Sequence, residues 1–128
     1  MTVLPALPTV DLPRLLSELE RLAAFSDAPP PAVTRVLWTP ADLSARAYVR
    51  GLIAEAGLTA REDAIGNLFA RWEGDEPGLA PVATGSHIDA VPGAGRYDGT
   101  VGVLGGLEAL RLLRRGGFRP RRPAAPSS

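Results

Sequence analysis

The side chains best suited to chemistry at neutral pH gather in one stretch, Gly85-Ser86-His87-Ile88-Asp89 followed by Gly95-Arg96-Tyr97-Asp98-Gly99. His87 is the only histidine and there is no cysteine. Thiolate nucleophiles, disulfides and thiolate zinc sites are therefore excluded, and any metal must be held by His, Asp, Glu and water. On extended backbone a His-x-Asp pair points both side chains to one face. Asp89 can then accept a hydrogen bond from the imidazole and fix its tautomer, the arrangement that metal-bound histidines usually have. The alternative for His87 is a satisfied surface or core histidine with no ligand. Asp98 lies eleven residues after His87 across a glycine-rich loop. It closely precedes a helix, so a metal-ligand reading and an N-cap reading compete.

The elements that must position these residues are legible from pattern. Leu12, Leu15, Leu16, Leu19, Leu22 and Ala23 predict a helix from about residue 10 to 25 with one apolar stripe, stopped by Pro29-Pro30-Pro31. Thr39-Pro40-Ala41-Asp42 offers a hydroxyl cap, proline at the first helical position and a carboxylate three residues after the cap. The helix it opens ends at Gly57. Residues 58–64 and 67–72 predict two short strands around Gly66-Asn67, and 82–87 a third that ends at His87. Strand ends are where open α/β sheets place their ligands. Residues 92–99 read as a loop, and a final helix spans about Thr100 to Arg115. The tail after it, Arg119 to Ser128, is too rich in proline and arginine to make a central strand, so the sheet is expected to be unfinished. The fold class is α/β.

At 128 residues, 45% of them hydrophobic, the chain suffices for one small domain. The formal net charge is zero, and all 14 basic residues are arginine. That balance gives no reason to expect nucleic acid or anionic membrane as a partner. No apolar run reaches the length of a membrane span, and Met1 to Thr9 does not read as a leader. The expected location is the cytoplasm. Trp38, Phe69 and Trp72 read as packing residues, Asn67 as a turn residue, and Arg114 to Arg122 as a solvated end.

The segment Thr84 to Val103, TGSHIDAVPGAGRYDGTVGV, closely resembles the signature of the hydantoinase/carbamoylase family of amidases. That family includes N-carbamoyl-L-amino-acid hydrolases, β-ureidopropionase and allantoate amidohydrolase. The likeness extends upstream through Thr34-Arg35, Thr39-Pro40-Ala41-Asp42 and Ala64-Ile65-Gly66-Asn67-Leu68, and covers about residues 10 to 119. It implies that His87 binds one metal, that Asp98 bridges two, and that Asp89 is a catalytic-site residue orienting His87. Gly95 and Gly99 would let the backbone pass close to the metals. The implied cofactors are two divalent ions, zinc, manganese, cobalt or nickel, and the implied substrate is a small ureido or amide compound. The fold implied is an incomplete three-layer catalytic domain of a di-zinc hydrolase, over residues 1–118, with an irregular tail at 119–128. In the family a strand after the last helix ends in two glutamates, a base and a ligand, and two further histidine ligands lie downstream. None is in this chain, and mid-helix Glu108 cannot stand in for them. Weak metal binding without turnover is expected of a truncated piece, and a family-like homodimer is not expected without the dimerisation domain. The alternative is a non-catalytic remnant or small binding module.

Overall fold

The computed structural model describes Ala6 and residues 8–127. The leader reading at residues 1–5 and 7, and Ser128 of the tail, lie outside the described residues. The elements run α1 (Leu12–Ala23), β1 (Val33–Arg35), α2 (Pro40–Glu55), β2 (Thr59–Glu62), β3 (Leu68–Arg71), β4 (Val82–Gly85), β5 (Ala90–Ala94), α3 (Thr100–Arg115) and β6 (Ala124–Ser127). The helix starts follow their capping chemistry. Asp11 accepts the Arg14 N–H at 3.1 Å, and Thr39 caps α2 with Pro40 behind it. Gly57, at φ +73°, carries the chain out of α2 in the left-handed conformation that glycine adopts without strain.

The main sheet is mixed, with strand order β2-β3-β6-β4. β2 and β3 form an antiparallel hairpin, β6 runs antiparallel to β3, and β4 and β6 are parallel. This corrects the expectation for the tail: residues 124–127 lie between β3 and β4 and are a central strand. Two ladder positions tie β6 to β3, Trp72 with Ala124 and Phe69 with Ser127. Pro126, which has no N–H, falls between them, so proline is accommodated at a gap in the ladder. The Pro123 carbonyl accepts the Val82 N–H at 2.9 Å and starts the parallel pairing. The chain therefore does return from α3 into the sheet.

A second difference lies in the glycine-rich stretch. Residues 90–94 form β5, paired antiparallel with β1 in an irregular register, Val33 with Ala94 and Arg35 with Ala90. The Gly93 N–H donates to the Thr34 hydroxyl at 2.9 Å.

Helices pack on one face of the main sheet. Leu19 and Leu22 of α1, Ala45, Val49, Leu52 and Ile53 of α2, and Val103, Leu104, Leu107 and Leu110 of α3 meet Leu68 and Ala70 of β3. Phe69 and Arg71 point to the other face, where they line an open groove with Thr59, Arg61 and Ala83. Two layers are thus present among the described residues, against the three implied for the family domain.

The α1 stripe is less apolar than its leucines suggested. Leu12 and Leu16 are about half exposed, whereas Glu18 is buried. The Arg111 guanidinium donates to both Glu18 carboxylate oxygens, at 2.8 and 3.0 Å. One turn back on α3, buried Glu108 accepts from the Arg14 side chain at 2.7 Å and from the Asp11 N–H at 3.2 Å, with Arg115 at 3.4 Å. Burial pushes the Glu108 carboxyl up, but these donors outweigh it and hold the group below the usual carboxylate range. Glu108 is thus fully engaged in joining α1 to α3. Trp38 also departs from the packing expectation. It is 54% exposed, at φ +67°, and stacks on the Arg46 guanidinium 4.7 Å away. A Cβ at Gly66 would overlap its ring, which explains glycine at that turn.

Candidate metal centre

β4 delivers the chain to His87 at the carboxyl end of a parallel strand. Beyond it the buried side chain of Ile88 anchors the segment in the core, so the residues on either side face outward. The His87 Nδ1 lies 3.0 Å from the Asp89 backbone carbonyl and 3.3 Å from the Asp89 Oδ1. Both are acceptors, so Nδ1 carries the proton and the lone pair sits on Nε2. The His87 side chain is 49% exposed, and among the described residues Nε2 has no hydrogen-bond or ion-pair partner. Asp89 thus contacts His87 through its carbonyl as well as its carboxylate.

Asp98 is exposed at the start of α3. The cap of that helix is Gly99, at φ +73°, and no side chain makes a capping hydrogen bond. Of the two readings of Asp98, the N-cap reading fails. Among the described residues its carboxylate has no hydrogen-bond or ion-pair partner. The helix N-terminus beside it adds a positive field that favours a carboxylate there. Gly99, the next residue, packs against His87: a Cβ on it would come within 2.5 Å of the His87 Cε1 and carbonyl, and 2.6 Å of Nδ1. Glycine is required here by both its backbone angle and the imidazole against it. Gly95 has open space around it and shows no such requirement. The loop between is held to α1, where Glu20 pairs with Arg96 and accepts from the Tyr97 hydroxyl at 3.4 Å. The Thr100 hydroxyl donates to the Arg96 carbonyl at 2.8 Å.

A residue singled out only as part of the likeness, Arg35, stands behind the His87-Ile88-Asp89 segment. It is 1% exposed, its Nε donates to the Ile88 carbonyl at 2.7 Å, and its Nη1 donates to the carbonyls of Leu22 at 3.0 Å and Phe25 at 2.7 Å. Burial pulls the guanidinium pKa down, opposed by the fields of Asp42 and Asp89. The available signal was period two: Val33 and Arg35 share the buried face of β1, with Thr34 between them turned outward.

His and carboxylate are donors that suit zinc, manganese, cobalt or nickel. Among the described residues no group of three or more His, Cys, Asp or Glu side chains could by itself hold a metal ion. The donor chemistry of His87 and Asp98 fits a divalent cation, and two donors are fewer than a complete coordination shell needs.

No protein-family model matches the chain. Its relatives are nevertheless consistent. It is 60% identical over 114 residues to ureidoglycolate hydrolase of Arabidopsis thaliana, covering 89% of this chain and 24% of that one. It is 42% identical over 110 residues to N-carbamoyl-L-amino-acid amidohydrolase of Paenarthrobacter aurescens, covering 86% and 26%. Among solved structures, AtUAH in complex with glyoxylate superposes with a TM-score of 0.92 at 57% identity, over 93% of this chain and 28% of that one. A hydantoinase/carbamoylase family amidase from Burkholderia ambifaria gives 0.91 at 38% identity, over 96% and 30%. Its homologues are amidohydrolases, and its structural neighbours are hydantoinase/carbamoylase family amidases. It spans about a quarter of the length of the curated relatives it matches.

Proposed function

We propose that this chain furnishes one side of the active site of a metal-dependent amidohydrolase that cleaves a C–N bond other than a peptide bond in a small ureido or amide substrate. The 57–60% identity to ureidoglycolate hydrolases makes ureidoglycolate the first substrate to try, ahead of N-carbamoyl amino acids and allantoate. His87 would hold a divalent ion through Nε2, Asp98 would offer its carboxylate to the same centre, and Asp89 keeps the proton on His87 Nδ1. A carboxylate shared between two cations would offset their repulsion. When bound, the ions supply Lewis-acid polarisation of the carbonyl and a more acidic water. The observation that carries this reading is the pair of outward donors: Nε2 freed by the Asp89 contacts, and an Asp98 carboxylate not used in capping the helix it precedes.

Two protein ligands are fewer than a catalytic metal has, so the chain alone binds the ion weakly and turns nothing over. The test is a graft. The matching stretch of the Arabidopsis enzyme is replaced by residues of this chain, and ureidoglycolate hydrolysis is assayed with added manganese, cobalt or zinc. Activity in the graft and its loss in His87→Ala and Asp98→Asn are expected. An active graft that keeps its rate in both variants contradicts the assignment. Hydrolysis by the isolated chain that is lost in His87→Ala contradicts the claim of inactivity.

A further inference from the structure

Arg35 is a buried arginine with no carboxylate within hydrogen-bonding reach among the described residues. Each of its described hydrogen bonds goes to a backbone carbonyl. Two of these, of Leu22 and Phe25, lie at the carboxyl end of α1, where a helix leaves carbonyls without internal partners. The third, of Ile88, belongs to the residue between His87 and Asp89. One rigid, planar guanidinium therefore ties the His-x-Asp turn to the end of α1. With the Ile88 side chain in the core and its carbonyl pinned at 2.7 Å, the peptide leading into Asp89 cannot rotate. That peptide places the Asp89 carbonyl and carboxylate against His87 Nδ1.

We infer that Arg35 is a positioning residue for His87. Through the Ile88 carbonyl it sets the tautomer and ring direction that aim Nε2 outward. The inference rests on His87 being a metal ligand, as proposed above. An arginine serving stability alone would need no particular partner on the turn. Here the shortest of its bonds, with that to Phe25, reaches the carbonyl beside the candidate ligand.

The test uses the full chain and its single histidine. Long-range proton–nitrogen correlation spectra at about pH 8, where an ordinary imidazole is neutral, read the ring tautomer without metal. Zinc affinity is then measured by calorimetry. The parent is expected in the Nδ1–H form. Arg35→Met is expected to shift the ring toward Nε2–H and to weaken zinc binding about 10–100-fold, as loss of a ligand's supporting contacts does. Arg35→Lys keeps the charge but cannot reach all three carbonyls. It is expected to fall between, and it carries the test if Arg35→Met does not fold. Arg111→Met removes another buried arginine, far from the turn, and is expected to lower stability while leaving tautomer and affinity as in the parent. Folded Arg35 variants with the parent's tautomer and affinity overturn the inference. Zinc binding by His87→Ala equal to the parent's is a different failure, that of the metal reading, and the tautomer comparison separates the two.

Discussion

Two clusters of charged side chains in this molecule treat their charge in opposite ways. Along the seam of α1 and α3, Glu18 and Glu108 are buried and answered by Arg111, Arg14 and Arg115 at 2.7 to 3.6 Å. At the end of β4, exposed His87 and half-buried Asp89 satisfy each other on one side only, and exposed Asp98, next to the glycine packed against His87, has no hydrogen-bond or ion-pair partner among the described residues. Buried charges without partners cost several kcal/mol, so the seam has to be closed internally. The exposed set pays no such cost and can hold donors in reserve for a cation. Charge that is answered within the chain builds the fold, and charge left facing outward is available for function.

The contrast can be broken most forcefully at the seam. Glu108→Ala leaves three arginines around a vacated carboxylate and is expected to lower stability by about 3–5 kcal/mol in urea unfolding. Zinc binding measured where the variant remains folded should equal the parent's. Gly99→Ala joins the two regions, because a Cβ there meets the His87 ring and strains a residue at φ +73°. A loss of about 1–3 kcal/mol is expected, together with weakened zinc binding. A variant that keeps both properties would show that Gly99 does not hold the imidazole in place.

The seam should also be the acid-sensitive part. The Glu108 carboxyl is held below its ordinary range in the folded chain. Its contribution is therefore present above the unfolded carboxyl range, near pH 4, and is lost as pH falls through the lower folded value. Glu108→Gln should flatten the fall of stability below about pH 4 in a pH series of unfolding curves. An unchanged slope would assign the acid sensitivity to other groups. The smallest stability effects belong to the exposed cluster. His87→Ala and Asp98→Asn should each stay within about 0.5 kcal/mol of the parent while abolishing zinc binding.

The site was more legible in the sequence than the sheet that carries it. α2 was readable because Thr39, Pro40 and Gly57 mark its ends chemically, and α3 runs Thr100–Arg115 as the sequence predicts. β1, β5 and β6 were not, because their residues carry proline, glycine or too few positions for a period. Val33–Arg35 has three residues, and Ala124–Ser127 contains a proline that only the finished ladder shows to be harmless. The role of Glu18 was hidden because its partner lies 93 residues away on α3. His87, Asp89 and Asp98 stood out as candidates by type and spacing, with competing readings left open, and their proposed metal roles came from the family resemblance. Which nitrogen of His87 is free, and that Gly99 rather than Asp98 caps α3, required the fold.

The most direct test of the central claim is a zinc titration followed in proton–nitrogen spectra of the full chain, repeated on His87→Ala and Asp98→Asn. The expected result is a set of shifts confined to residues 86–89 and 95–100 that vanishes in both variants. Shifts centred instead on surface carboxylates such as Asp75 and Glu76, or unchanged in either variant, would show that His87 and Asp98 do not form a metal centre.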